Sequence, residues 1–431
     1  MNFWKIIILT GVVLNMLLTG VGYGQVSYFV DCRIEGAVGD GLTDDTAAIQ
    51  SALNKAGLQQ GGVVLLPAGY YRIEGNLTIP SGVTLQGIWD SPHHEDQTWG
   101  SSLFAISGAG QATGTPLINL SPSSAVRGLK IFYPQQDVNN IKPYPYAIRG
   151  SGMECTVDNV TLVNAYQGID FTPAHELHTI RYVRGCVLKQ GIIVDNCTDI
   201  GRIENVHFNP HYWARAKSAP GYTGFPGNGW DTLVNYVNNN LDVFIFARSD
   251  WEYVFNTFAW GFKTCYRFVD RGNGSCNGNF LGIGADGGQY CVWVEKTQPP
   301  GLLITNGQFV SFAGTNPTEI FTTPGFTGVV QLSNCSFWGP TKRCVYQQGN
   351  GLVSLHQCNF REWNNSVPAV EVVSGELTVT NCNFALNQKH IKVNSGAGKP
   401  ILANNRYKGS AQIEGAVEGS SSADNGTELY K

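Results

Sequence analysis

The chain has 431 residues, of which only 14% are charged, and a formal net charge of −4. No block or stripe of lysine and arginine is present, which excludes nucleic acid as a partner class. Glycine is abundant (52) and aromatics reach 11%, a profile of many short strands joined by turns.

Residues 1–24 read as a secretory signal: Lys5 opens it, an apolar run fills 6–18, and small residues occupy 21–24. The apolar run is too short to span a bilayer comfortably, so cleavage is expected rather than anchoring. The mature protein is then secreted or periplasmic, with no membrane association after cleavage. No cysteine sits at the cleavage point, which argues against a lipoprotein.

The stretch "VGDGLTDDTAAIQSALNKAG" (38–57) holds Asp40, Asp44 and Asp45 within six positions. Ala48, Ile49, Ala52, Leu53 and Ala56 behind them form one apolar stripe of a short helix. Thr43 or Asp44 is placed as its N-cap, so these carboxylates are read as caps and turn formers rather than as catalysts. Short β-runs follow, broken at Pro-Ala-Gly and Pro-Ser-Gly. Together, "GDGLTDDTAAIQSAL", "GGVVLLPAGYYRI" and "TLQGI" resemble the N-terminal signature of the pectate-lyase-like superfamily, a group related to glycoside hydrolase family 28. The resemblance covers residues 34–88 and implies an all-β fold, a right-handed parallel β-helix (solenoid), with the short helix capping its N-terminal end. It also implies a carbohydrate substrate.

Internal repetition points the same way. Runs at 168–171, 191–194, 243–246, 265–268, 291–294, 319–322, 344–347, 369–372 and 390–393 are separated by 23, 52, 22, 26, 28, 25, 25 and 21 residues. A second, offset series ("VDNVTL", "IENVHF", "NCSF", "QCNF", "NCNF") keeps the same period, so each coil has at least two strands. Cys186, Cys335, Cys358 and Cys382 each precede the inward Leu or Phe of their run by two residues and are expected to pack, reduced, as an interior column. Cys265 and Cys291 form a second column, with Cβ atoms too far apart for a relaxed disulfide. The single domain is expected over 25–415, with a loop insertion near 209–240 and a loose polar tail over 416–431.

If Ile169, Ile192, Phe244, Tyr266 and Val292 point inward, Asp170, Asp195, Arg267, Trp293 and Glu295 share one outer face. Arg248, Asp250, Asp270 and Arg271 then lie in the adjoining turns. Carboxylates supply acid and base, arginines bind acidic sugars and an indole stacks on a pyranose. The double-length step holds a segment rich in Pro, Gly, Asn and aromatics, a common place for a binding wall. It carries His207 and His211 as acid/base candidates, with Tyr212, Trp213, Arg215 and Trp230 as substrate contacts. Asp250 and Glu252 in "RSDWE" are a second candidate carboxylate pair beside Asp170 and Asp195. "DSPHHEDQTW" (90–99) and "TPAHELH" (172–178) are further His- and carboxylate-dense loops that could flank the groove or hold a metal, on weak spacing evidence. No C-x-x-C pair occurs, so a structural zinc site is not expected and no metal ligand is assigned; no motif specifies a cofactor, and calcium is left open.

The superfamily's catalytic signatures are missing. Asp-Asp occurs only at 44–45, Gly-His-Gly is absent, "RIE" (202–204) replaces Arg-Ile-Lys, and "SPHHE" and "NPHYW" only approach the Asp-Pro-His-Glu of alginate epimerases. No family catalytic residue transfers. The reading is an exported enzyme acting on a polysaccharide or oligosaccharide, acidic ones included, first by hydrolysis through a carboxylate pair. The alternatives are β-elimination on a uronate, with His207, His211 or Tyr212 as base and an arginine as neutraliser, and a non-catalytic glycan-binding solenoid.

Overall fold

The computed structural model describes residues 28–90, 98–415 and 427–428. The signal-like segment and most of "DSPHHEDQTW" lie outside them, so those expectations have no structural counterpart here. Among the described residues no helix is long and apolar enough to cross a membrane.

The chain winds into a right-handed parallel β-solenoid of about 15 turns. Each regular coil contributes to three ladders, one more than the two sequence series required. One coil runs Ser249–Phe255, Phe258–Trp260 and Thr264–Phe268, and the next runs Cys276–Leu281, Gly284–Gly288 and Tyr290–Val294. These three positions define ladders one, two and three. The apolar spacing set the register of ladder three: Ile169, Ile192, Phe244, Tyr266, Val292, Ile320, Val345, Val370 and Ile391 pair rung to rung.

The sharp corner between ladders one and two needs a left-handed residue, and asparagine takes that conformation at little cost. Asn159, Asn205, Asn256, Asn306, Asn334, Asn381 and Asn404 occupy it with φ from 51° to 58°. Neighbouring amides bond along the stack, Asn256 Nδ2 donating to Asn205 Oδ1 and Asn334 Nδ2 to Asn306 Oδ1, each at 2.7 Å. Just past the corner, Phe309, Phe337, Phe360, Phe384 and Tyr407 stack inside the coil at centroid spacings of 5.7, 4.8, 4.5 and 5.1 Å. All eleven cysteines are buried and unbridged. The Cys335–Cys358–Cys382 column lies beside this stack, the Cys358 N–H donating to Cys382 Sγ at 3.4 Å.

Helix α1 (Thr46–Leu58) buries Ile49, Ala52, Leu53 and Ala56 against the first coils. Its N-cap is Asp45, not Thr43 or Asp44. The Asp45 carboxylate turns away from the helix to accept the Val38 and Gly39 amides at 2.6 and 3.1 Å. Asp44 accepts the Thr46 N–H, and Asp40 accepts those of Leu42 and Thr43, so the triplet ties turns together. Of the expected loose tail, Thr427–Glu428 pairs with Tyr407–Lys408 in ladder two; the rest lies outside the described residues.

The double-length step is an insertion between ladders two and three. It contains α2 (His211–Ala214) and α3 (Trp230–Asn240), which leads directly into Asp242–Phe246 of ladder three.

Candidate functional site: the outer face of ladder three

Pleating turns one column of ladder three outward: Arg149, Asp170, Ile193, Ile245, Arg267, Trp293, Phe321, Tyr346 and Glu371 pair in that order on successive rungs, with Asp170, Ile193, Ile245 and Glu371 covered by their neighbours. Two depressions lie along it. The first, of about 330 Å³, has Ile193 and Ile245 in its wall with Gln190, Arg267, Asp270, Arg271 and Glu295. The second, of about 350 Å³, is lined by Tyr290, Phe321, Lys342, Arg343 and Tyr346. Trp293 stands between them, its ring 4.4 Å from that of Phe321 and 4.7 Å from that of Tyr290.

The charges on this face are interlocked. Arg149 Nε donates to Asp170 Oδ2 at 2.6 Å, and Asp170 also accepts the Thr172 N–H. Asp195, two residues beyond Ile193, accepts the Asn196 N–H (2.8 Å), the Arg248 N–H (3.2 Å) and Asn273 Nδ2 (3.1 Å). Both aspartates are almost fully covered by these partners. Arg267 bridges Asp242 at 2.8 Å and Glu295 at 3.0 Å, and Trp293 Nε1 donates to the same Glu295. Arg271 is exposed and makes no ion pair among the described residues. Tyr146 completes the upper end, its hydroxyl bonded to Gln190 Oε1. Burial, reinforced by the Asp170 charge, raises the Tyr146 phenol far above its ordinary range, so it stays a proton donor.

The structure separates residues that the sequence reading grouped. His207 is half-buried on the outside of ladder two, edge-on to Phe258 and Tyr212. His211 accompanies it, with Nδ1 2.8 Å from Asn209 Oδ1 and its ring 4.3 Å from Trp230, which stacks on Trp260. Neither histidine shares the face of Asp170 and Asp195: His207 belongs to a strand of ladder two, pairing with Arg184 and Phe258, and His211 opens α2 directly behind it. Tyr212 and Trp213 are sealed, and Trp213 Nε1 bonds the Tyr222 hydroxyl, so they serve the insertion's own core rather than a substrate. Arg215 is exposed on the insertion.

Asp250 and Glu252 do not form an outer pair. Trp251 takes a left-handed φ of 58°, and the ladder slips register between Ser249 and Glu252. Asp250 remains outside, 3.2 Å from Arg248. Glu252 turns inward and is fully buried, 3.2 Å from His178 Nε2 and bonded by the Ser249 hydroxyl. Two histidines of the loop 172–178 lie beside it inside the wall. Burial disfavours charge on both, yet the Glu252 carboxylate outweighs it at His178, whose pKa rises to about 9. At His175, burial and the His178 charge act together and lower it to about 4. The group among the described residues that could hold a metal ion is His175, His178 and Cys197, inside the solenoid and not in the groove.

Tyr146, Arg149 and Asn273 were not singled out from sequence. "AIRG" (147–150) precedes "GIDF" by one coil period, so extending the series one step back would have placed Arg149 in the column.

Residues 29–267 match the model of the family described as rhamnogalacturonase A/epimerase, pectate lyase-like. The chain belongs to this family. A segment of 59 residues is 51% identical to mannuronan C5-epimerase AlgE1 of Azotobacter vinelandii, covering 12% of this chain and 4% of the epimerase. A segment of 40 residues is 58% identical to alginate lyase 7 of the same organism, over 9% of this chain and 5% of the lyase. The chain thus spans a small part of the length of these curated relatives. Among solved structures, the A-module of mannuronan C-5 epimerase AlgE6 from A. vinelandii superposes with a TM-score of 0.53 at 15% identity, covering 92% of this chain and 98% of the module. The N-terminal fragment of bacteriophage phi29 gene product 12 gives 0.59 at 12% identity, covering 96% and 74%. These likenesses are of fold.

Proposed function

We propose that the outer face of ladder three binds a uronate-containing glycan and hydrolyses it, with Asp170 and Asp195 as the carboxylate pair. One observation carries the reading: two carboxylates one rung and two residues apart, bordered by Arg149, Arg267 and Arg271, on a column that continues into Trp293, Phe321 and Tyr346. Strand geometry puts the two Cα atoms roughly 8 Å apart, which suits the carboxyl separation of about 6.5–9.5 Å of an inverting glycosidase. The flanking arginines supply the counter-charge for sugar carboxylates, and the aromatic column supplies stacking surface for several residues of a chain.

Three donors fix the Asp195 carboxylate in place, as a group that orients the attacking water requires. Asp170 is tied to Arg149, and a substrate carboxylate competing for that guanidinium would release Asp170 to take up a proton and pass it to the leaving oxygen. The curated relatives named above act, by their names, on mannuronan and alginate, and this fits an acidic substrate.

Tyr146 favours a second reading. A phenol kept protonated beside Asp170, near Arg149 and Arg271, suits donation to a leaving oxygen in β-elimination from a uronate. The protein should therefore be incubated with alginate, polygalacturonate and a neutral β-glucan while reducing ends and near-ultraviolet absorbance are followed together. Hydrolysis predicts reducing ends from an acidic polymer without the absorbance of a conjugated double bond. Absorbance growing in step with reducing ends would replace hydrolysis by elimination, and cleavage of the neutral glucan alone would remove the acidic substrate.

A further inference from the structure

Inside the wall, behind the loops that edge the groove, the apolar core is interrupted by His175, His178, Cys197, Ser249 and Glu252, all at most 4% exposed. Polar groups at such depth are costly unless each has a defined partner. The backbone brings them together on consecutive rungs, His175 bridging to Cys197 and Cys197 to Ser249. In the 172–178 loop, Leu177 takes a left-handed φ of 58°, and both imidazoles lie against Phe171 at centroid distances of 5.2 and 5.0 Å.

We infer that His175 Nε2, His178 Nδ1 and Cys197 Sγ form a structural zinc site enclosed in the solenoid. His175 Nε2 and His178 Nδ1 are 2.9 Å apart, His178 Nδ1 and Cys197 Sγ 3.8 Å, and all three donors lie within 4.8 Å of one another. A tetrahedral zinc with ordinary bond lengths sets such donors roughly 3.3–3.6 Å apart, so small side-chain shifts suffice.

The outer atoms of the rings are already arranged as ligand supports. His175 Nδ1 donates to the Pro173 carbonyl at 2.8 Å, which turns the Nε2 lone pair inward. His178 Nε2 faces Glu252 Oε1 at 3.2 Å, and Ser249 Oγ bonds the other carboxylate oxygen. A backbone carbonyl behind one histidine and a carboxylate behind the other are the usual partners of metal-bound imidazoles. Gly201 leaves the room they need: a Cβ there would come within 2.1 Å of His178 Cε1 and 2.3 Å of Glu252 Oε2.

Zinc takes the place of two protons, the one shared between the imidazoles and the one on the Cys197 thiol, while His178 keeps its Nε2–H toward Glu252. The fourth position is left to water. Two nitrogens and a thiolate favour zinc over calcium or magnesium, which take oxygen ligands. Because the site is closed, the metal enters as the coil forms.

The full chain is produced in medium containing equal zinc and copper, desalted and analysed for metals. Separately, it is unfolded and refolded with excess zinc or with cobalt(II). About one zinc per chain is expected by either route, with a thiolate-to-cobalt charge-transfer band in the cobalt form. Folded Cys197→Ser should lose the band and most of the zinc, whereas His356→Ala should keep both. Zinc below about 0.2 per chain in wild-type protein refolded with excess metal overturns the inference. So does copper in place of zinc, or zinc retained undiminished in folded Cys197→Ser. The wild-type measurements decide the matter even where the variant fails to fold.

Discussion

The outer groove and the enclosed histidine cluster occupy the same few coils, yet the same residue types meet opposite fates in them. Asp170 and Asp195 stand outside with arginine and amide partners at a solvent boundary. Glu252, from the coil next to that of Asp195, lies inside against an imidazole. In a solenoid wall a single left-handed residue, here Trp251, moves a carboxylate from a substrate surface into the core. Residue type sets what a site can do, and the side of the wall sets what it can reach.

Removing a charge on the inner side should cost stability rather than turnover. Glu252→Ala leaves His178 buried opposite nothing, and a loss of about 3–5 kcal/mol in chemical denaturation is expected, with the specific activity of the remaining folded fraction close to wild type. If stability is unchanged, Glu252 is not the counter-charge described here. On the outer side turnover is what suffers: Asp195→Asn or Asp170→Asn should lower it at least about a hundredfold, equivalent to about 2.7 kcal/mol, in protein that remains folded by circular dichroism. Near-wild-type rates in both would move the chemistry off this face.

Glu319 sharpens the comparison, because it is a carboxyl on the inner side that makes no ion pair among the described residues. Both oxygens are buried outside hydrogen-bond geometry, facing the Cys344 thiol and the Trp338 amide, and burial raises its pKa well above the ordinary value of 4.5. The folded state therefore holds a proton that the unfolded chain releases. Its contribution is fully present below about pH 4.5 and declines as pH rises toward the folded pKa, by up to about 1.4 kcal/mol per unit. Glu319→Gln should flatten that slope between about pH 5 and 8 in urea titrations; an equal slope in both proteins would rule this out.

Smaller effects are expected farther from the carboxylate pair. Arg267→Gln should raise KM for an acidic glycan about tenfold, near 1.4 kcal/mol, and weaken the salt dependence of binding, with kcat little changed. His207→Ala, on the other face, should change turnover less than about threefold. A hundredfold loss there would bring ladder two back into the site.

Much of this was legible in the residues. The apolar spacing contained the register of ladder three from Ile169 to Ile391, because a buried face repeated once per coil tolerates no slip, and so it placed Asp170, Arg267 and Trp293 in one outer column. It also identified the cysteines as packing and the Asp40–Asp45 cluster as structural. Alternation failed at Trp251, whose left-handed backbone sent Glu252 inward, while His207 lies outward on a strand of ladder two rather than ladder three, and α2 just past it sealed Tyr212 and Trp213. Ladder one was not separated from ladder two because only the short left-handed corner divides their strands, so runs such as "IENVHF" read as one.

The sequence by itself therefore determined the coil, its period and which side chains line up along it, since those follow from local hydrophobic repetition. Only the tertiary structure decided which polar groups meet across coils. His178 and Glu252, 74 positions apart, join because a loop reversal and a bulge bring both to the same interior point, and no periodic signal encodes two irregularities that coincide in space.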